Sequence, residues 1–296
     1  MSISGGEMQT LVLTAADVQQ VVRHVGVDQF MDLLIGELEQ FCEGQSEEAP
    51  CEIPRRDGFH YRNPNDGLIE WMPLLTPDHL AMMKLVGYHP GNPDSRGTPS
   101  VISSLIGFDT STGHVAVFAE GTLLTAMRTG AASAVATRIL AKESASTIGL
   151  IGAGAQAVSQ LHALGRVLDI ERVLLHDTNP AAAASFHRRV AGFASGLEIT
   201  MADAETVASQ ADVLCTVTSV EAGSGPVFRD TDLRDGLHLN AVGADFPGKF
   251  ELPETLLQRA FVCPDFPSQA LQEGESQRLA PESLGPDLIE LVKGRS

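Results

Sequence analysis

Ser146–Asp177, STIGLIGAGAQAVSQLHALGRVLDIERVLLHD, decides the fold. A short apolar run, Ile148 to Ile151, enters Gly152-Ala153-Gly154-Ala155-Gln156-Ala157, and a helical pattern follows with Val158, Leu161 and Leu164 on one face. Strand, glycine turn, helix and second strand in that order form one half of a nucleotide-binding βαβ unit. A pyrophosphate needs unshielded backbone N–H groups at a helix N-terminus, and a Cβ at Gly152 or Gly154 would hold it away. Ala157 fills the third small position, and Gly152, Gly154, Ala155 and Gln156 are the expected contacts to the dinucleotide. The second strand, Glu171 to His176, ends on Asp177, 25 residues beyond Gly152. A carboxylate there accepts both ribose hydroxyls of an adenosine and repels a 2′-phosphate, so the expected cofactor is NAD rather than NADP. The bland alternative is a glycine turn that only packs helix on sheet.

The surroundings fit a soluble two-domain protein. The chain has 296 residues, 43% hydrophobic and 20% charged, enough for two cores. No apolar run reaches membrane-spanning length, and the N-terminus MSISGGEMQT carries neither a basic nor an apolar signal segment, so the expected location is cytoplasmic, away from any membrane. A net charge of −18 repels phosphate-rich polymers, and no basic patch with interleaved aromatics occurs, which argues against nucleic acid as a partner. Cys42, Cys51, Cys215 and Cys263 lack C-x-x-C spacing, and the latter two fall in expected core strands. They read as reduced structural thiols rather than a disulfide framework or a metal site.

Ahead of the glycine turn the pattern differs. Thr14-Ala-Ala-Asp17 is an N-cap with an acid at N3, and a second helix is expected from Val27 to about Cys42 with Phe30, Leu33, Leu34 and Leu38 on its apolar face. From Phe59 the periodicity becomes β: a strand, the turn Asn63–Gly67, the strand Leu68–Pro73, and a further strand Leu80–Gly87. Glu70 and Met72 share one face, Ile69 and Trp71 the other. Lys84 sits on the face of Leu80, Met82 and Val86, where an aliphatic residue is usual; either it lies on a solvated edge or it faces an anion. Tyr88–Thr98 reads as a loop, and Ser100–Phe108 with His114–Ala119 as a hairpin, giving a largely antiparallel sheet of about five strands. Thr125 is expected to cap the helix TAMRTGAASAVATRILAK, with Arg128 in its first turn. A cation there opposes the helix dipole, so Arg128 reads either as an exposed cover for its own helix or as part of a carboxylate or phosphate site.

Beyond Asp177 the α/β alternation continues through helices from Pro180 and Asp203 and strands at Leu197–Met201, Ala211–Thr218, Leu237–Gly243 and Ala260–Cys263. Ligands on such sheets sit outside the carboxyl ends of the strands, which points at Thr216–Val220 and Gly243–Lys249. Thr218, Val242 and Lys249 are the expected cofactor contacts there. Asp245 follows a strand directly among small residues and a Pro-Gly turn; it is either a carboxylate a substrate can approach or an Asx turn opening a loop. No histidine pairing at metal-ligand spacing, G-x-S-x-G elbow or P-loop occurs, so the sequence offers no metal site and little support for hydrolysis or phosphoryl transfer.

Taken in order, Glu70-Trp-Met-Pro73, Lys84, His89-Pro-Gly-Asn92, Leu124–Ser133, Gly152–Gln156 and Asn240–Leu252 resemble the ornithine cyclodeaminase and mu-crystallin family, over nearly the whole chain. The resemblance implies an α/β protein: an N-terminal α+β substrate and dimerisation domain (1–126, with 276–296 returning toward it) and a Rossmann dinucleotide-binding domain (127–275). It implies homodimers that pair through the N-terminal sheet and hold the nicotinamide against that sheet. Lys84 and Arg128 match the family's carboxylate-binding residues, Asp245 its acid/base, and Glu70 the acid associated with a distal amine. A further family arginine matches Arg55 or Arg56, and Arg56 is the choice here. Family members continue for several dozen residues beyond the segment matching Glu282–Lys293 and close over the nicotinamide; this chain ends at Ser296.

The mechanism so implied takes hydride from Cα of a bound amino acid to NAD. The distal amine, deprotonated by Asp245 and steered by Glu70, attacks the resulting imine, ammonia leaves, and hydride returns to the ring, as in ornithine to proline. A reductase of imino acids or ketimines, or an amino-acid dehydrogenase, would use the same Lys84 and Arg128. A non-catalytic mu-crystallin-like binding protein would need only the nucleotide fold.

Overall fold

A computed structural model of the chain describes residues 8–46, 51–76 and 80–294; the expectation about the extreme N-terminus lies outside the described residues. The chain opens with a short strand β1 (Leu11–Leu13) and helix α1 (Ala15–Val25), whose N-cap Thr14 forms a reciprocal capping box with Asp17. Helix α2 (Val27–Gly44) follows, then β2 (Asp57–Tyr61), β3 (Gly67–Leu75) and β4 (Leu80–Tyr88). The loop expected at Tyr88–Thr98 contains a one-turn helix α3 (Asn92–Arg96), with a proline in its first turn and Gly97 at φ 65° ending it. Strands β5 (Val101–Asp109) and β6 (Val115–Glu120) form the expected hairpin.

These strands make a six-stranded sheet in the order β1-β6-β5-β4-β3-β2. It has one strand more than expected, because β1 is only three residues long and too short to show alternation. β1 runs parallel to β6 and the other pairs are antiparallel. The register sets Glu70 opposite Val86 and Met72 opposite Lys84, so Glu70, Met72 and Lys84 share one face. The reverse face carries Phe59, Ile69, Trp71, Met83, Leu85, Ile106 and Phe118.

Helix α4 (Thr122–Leu140) starts one turn before the expected cap at Thr125. The Thr122 N–H donates to the Glu120 carboxylate at 3.0 Å, which satisfies the first orphan donor earlier in the chain. After it come β7 (Thr147–Ile151), α5 (Ala155–Leu164), β8 (Arg172–His176), α6 (Pro180–Ala194), β9 (Glu198–Met201), α7 (Ala204–Gln210), β10 (Val213–Thr216) and β11 (His238–Ala241). All five strands are parallel, in the order β11-β10-β7-β8-β9, the doubly wound order of a Rossmann sheet. β7 is buried along its whole length because it is covered on both faces. Ile148 and Leu150 pack with Leu161, Phe186 and Val190 from α5 and α6, while Ile151 packs with Val207 and Ala208 from α7.

The strand expected at Ala260–Cys263 does not form. The Val262 carbonyl accepts from the Gly285 N–H at 2.7 Å in place of a sheet partner, and Phe261 is exposed. Short helices α8 (Glu254–Arg259), α9 (Pro267–Ala270) and α10 (Leu288–Lys293) complete the described chain. The four cysteines are free thiols, and Cys263 is half-buried outside any strand. Among the described residues no helix is long and apolar enough to cross a membrane, and no cluster of three or more His, Cys, Asp or Glu side chains forms a metal-holding group.

The chain forms two compact units, one of Met1–Val27 with Gln45–Thr125 and the other of Asp28–Gly44 with Ala126–Ser296. Helix α2 therefore goes with the parallel sheet, as do residues 276–294. The reason for α2 is specific: Asp28 meets His162 at 2.8 Å, Asp32 takes a two-pronged contact from Arg166, and Glu39 takes another from Arg138. Its buried stripe is Met31, Ile35 and Cys42, while the expected Leu33 is exposed. Burial pushes the Cys42 thiol up to about 11, as expected of an inert structural cysteine.

Behind β10 and β11 lies a buried polar chain in which Thr137 Oγ1 meets His238 Nε2 at 3.0 Å and accepts from Asn240 Nδ2 at 3.0 Å. Burial pushes the His238 imidazole down from 6.5 to about 4, against a smaller upward pull from Asn240. The unfolded chain therefore binds more protons between those values. Stability contributed by neutral His238 is intact above pH 6.5 and falls as pH drops toward 4, by up to about 3 kcal/mol. Urea midpoints measured across this range should decline for the native sequence and decline less for His238→Gln; equal slopes would exclude His238 as the source.

Candidate active site

The glycine turn is built by backbone conformation. Gly152 leaves β7 at φ 103°, where a side chain is strained, and a Cβ there would sit 2.7 Å from the Val217 carbonyl oxygen. Its N–H donates to the His176 carbonyl at 2.8 Å, tying the turn to the end of β8. Gly154 is the N-cap of α5 and offers no side chain to cap it, and a Cβ there would meet nothing within 4 Å. The first-turn N–H groups of α5, including those of Ala155 and Gln156, thus open at a bare helix N-terminus, the arrangement that binds a pyrophosphate.

Asp177 follows β8 directly. One of its carboxylate oxygens accepts from the Ala153 N–H at 2.6 Å and the other from the Asn179 N–H at 2.7 Å. Both bonds fix the carboxylate at the rim of the turn and leave lone pairs for ribose hydroxyls. Arg189 of α6 donates to the Ala153 and Gly154 carbonyls from outside the turn. No local pattern points to this contact, because Arg189 lies in an ordinary amphipathic helix far along the chain.

Next to the glycine turn are the exits of β10 and β11. Lys249 is buried and its ammonium joins two groups, the Asp245 carboxylate at 2.9 Å and the Thr218 carbonyl at 3.3 Å. Asp245 is therefore paired with a cation while its side chain stays 59% exposed, and the Asx-turn alternative gives way to an ion pair within one loop. Val242, half-buried at the end of β11, donates its N–H to the Thr216 carbonyl at 3.0 Å. The fully buried Glu251 accepts from the Thr218 N–H at 2.7 Å and from the Gly243 N–H at 2.9 Å. Burial pushes its carboxyl up, and its bonding to Thr218 opposes the shift. Glu275 accepts from the Glu251 and Leu252 N–H groups and pairs with Arg278. Glu251 and Glu275 were missed in the sequence. The available signal was an acid inside the apolar run Phe250-Glu251-Leu252, a position where a charge has to be paired.

In the other unit, Arg56 reaches the Glu70 carboxylate at 3.9 Å, with both side chains mostly buried, while Arg55 is exposed. Gly58 makes room for this pair, since a Cβ on it would lie 2.9 Å from the Glu70 Cγ. Half-buried Lys84 shares the Glu70 face of the sheet. Arg128 is exposed and lies in the second turn of α4, not the first, because the helix begins at Thr122. The helix-end argument for Arg128 therefore does not hold.

The two glycines of the turn separate structure from ligand. Gly152→Ala should destabilise the protein by about 2 kcal/mol or more through strain at positive φ and the clash with Val217. Gly154→Ala should leave the melting temperature unchanged and act only on what binds at the turn. Equal melting temperatures for both variants would contradict this account of Gly152.

A family model for the ornithine cyclodeaminase/mu-crystallin family matches residues 8–296. The chain is 44% identical over 284 residues to the L-lysine cyclodeaminase of Streptomyces rapamycinicus, covering 96% of this chain and 82% of that protein. A solved lysine cyclodeaminase that recognises L-lysine, L-ornithine and L-2,4-diaminobutyric acid superposes with a TM-score of 0.92 at 47% identity, covering 97% of this chain and 83% of the other. An archaeal alanine dehydrogenase dimer with bound NAD superposes with a TM-score of 0.83 at 30% identity, covering 97% of this chain and 86% of the other. With a family match running from Met8 to the last residue, on a Rossmann sheet with a bare glycine N-cap, the chain belongs to the ornithine cyclodeaminase/mu-crystallin family.

Proposed function

We propose that the chain is an NAD-dependent cyclodeaminase of α,ω-diamino acids, with L-lysine as the preferred substrate. The observation that carries this reading is the 44% identity to an L-lysine cyclodeaminase over 96% of the chain. The sequence alone favoured ornithine; this likeness moves the preference to the longer diamine, whose cyclisation closes a six-membered ring. The residues at the glycine turn fit NAD, since α5 opens on unblocked N–H groups and Asp177 presents a fixed carboxylate where a 2′-phosphate would be repelled.

NAD held by the α5 N–H groups and Asp177 would supply the hydride acceptor for the substrate Cα and the hydride donor for the ring. Lys84 and Arg128 bind and orient the α-carboxylate, and orientation of this kind supplies much of the rate in such reactions. Asp245 takes a proton from the distal ammonium, freeing the amine for attack, and delivers a proton to the departing ammonia. Glu70, held by Arg56, attracts the distal ammonium and selects for a second amine. Lys249 holds the Asp245 carboxylate and, with Thr218 and Val242, lines the cofactor side of this chemistry.

The assembly assigned to the protein is a homodimer formed through the six-stranded sheet. Its support is the reverse face of that sheet, where Phe59, Ile102 and Phe118 are 55%, 44% and 40% exposed around half-buried Trp71 and Leu85.

Incubation of L-lysine with catalytic amounts of NAD should release ammonia and a saturated six-membered cyclic amino acid, with no net NADH. Lys84→Ala should abolish turnover while NAD binding persists. Stoichiometric NADH formation or consumption would instead make the protein a dehydrogenase or reductase, as the likeness to alanine dehydrogenase allows. Asp177→Ser should weaken NAD binding and reduce the preference over NADP, by about tenfold or more for a lost charge repulsion; titration of both cofactors by nicotinamide fluorescence measures the ratio.

A further inference from the structure

Glu251 has no exposed surface, yet it lies beside the loops that carry the proposed chemistry. A buried carboxylate is costly unless both oxygens are satisfied, and here each oxygen takes one backbone N–H from a different strand exit. Oε1 accepts from Thr218 beyond β10, and Oε2 accepts from Gly243 beyond β11. Gly243 has to be glycine for this to happen, since a Cβ there would fall 2.3 Å from Glu251 Oε1.

The same two loops are joined a second time, from the other side. The Asp245 N–H donates to the Gly243 carbonyl at 3.0 Å, and Lys249 links the Asp245 carboxylate to the Thr218 carbonyl. Thr218, Glu251, Gly243, Asp245 and Lys249 thereby close a ring of bonds. Glu275 grips the Glu251 and Leu252 N–H groups, so the acid is fixed at its backbone as well as its side chain.

We propose that Glu251 is a positioning residue for Asp245: its carboxylate clasps the exits of β10 and β11 and so fixes where the Asp245–Lys249 pair stands. This rests on the assignment of Asp245 as the proton-transferring group. An apolar side chain of similar size would fill the same volume, leave the Thr218 N–H without an acceptor and leave the Gly243 N–H only its 3.0 Å bond to the Thr216 carbonyl. Conformational freedom in the Asp245 loop would then be restored, and a proton acceptor displaced by about 1 Å loses much of its rate advantage.

The test compares the full-length native protein with Glu251→Gln and Gly243→Ala. The glutamine keeps the size but turns an N–H donor toward one of the two backbone donors; the alanine pushes its methyl into the carboxylate and leaves Glu251 itself in place. For both, kcat on L-lysine should fall about 10- to 100-fold, KM and the NAD dissociation constant should move by less than about threefold, and the acid limb of the kcat–pH profile should shift. The double variant should be little worse than either single one, as expected when both break one device. Amide exchange at Thr218 should accelerate about tenfold or more in Glu251→Gln, and less at Gly243, whose N–H keeps its bond to the Thr216 carbonyl. A folded Glu251→Gln with kcat within about twofold of native and an unshifted pH profile overturns the proposal. So does unchanged exchange at both amides. Should Glu251→Gln fail to fold, Gly243→Ala carries the kinetic comparison. Exchange and NAD binding need no turnover, so a native protein that deaminates no diamino acid overturns the functional reading, while exchange at the two amides still decides whether the clasp exists.

Discussion

The parallel-sheet unit depends on one backbone position, Gly152. It turns the chain from β7 toward α5 at φ 103°, pressed against the Val217–Thr218 peptide with no space for a side chain. That contact brings the glycine turn and the exit of β10 to the same edge of the sheet, and the N–H of Gly152 anchors the turn to β8 as well. Three neighbouring strands therefore deliver their ends to one place. The carboxylate at the end of β8 and the charged loop past β11 inherit their positions from it.

Charge at this edge is arranged as a balance. Asp177, Asp245, Glu251 and Glu275 are all acids in a protein of net charge −18, and each has assigned donors: backbone N–H groups for Asp177 and Glu251, Lys249 for Asp245, Arg278 and two N–H groups for Glu275. Backbone donors are fixed by the fold and cannot rotate away. They hold an acid in place more firmly than a flexible surface lysine can, and that is what a site transferring protons between defined atoms requires.

Much of this could be read from the residues. The βαβ unit announces itself through local signals, a five-residue apolar strand, small residues at the turn and an acid at the end of the next strand, and β7, α5 and β8 form where those signals lie. Strand β3 and the alternation of Glu70 and Met72 against Ile69 and Trp71 were legible for the same reason. What failed was non-local. β1 is too short to carry a pattern, and Ala260–Cys263 has a strand's composition but finds a loop as its partner. The start of α4 was misplaced by one turn because Glu120 and Thr122 satisfy the helix end before Thr125 can, and this removed the dipole argument for Arg128. Glu251 was invisible because its importance lies in two backbone donors contributed by separate loops.

Helix α2 weaves the chain in a way that its place in the sequence conceals. Asp28 and Asp32 meet His162 and Arg166 across a sequence separation of 134, and most of the chain between builds the other sheet. A ribosome has to release both segments before the parallel unit can close over Met31 and Ile35. The unit cannot be cut out as one continuous fragment starting at α4 without stripping a helix from its side and baring that apolar seam to water.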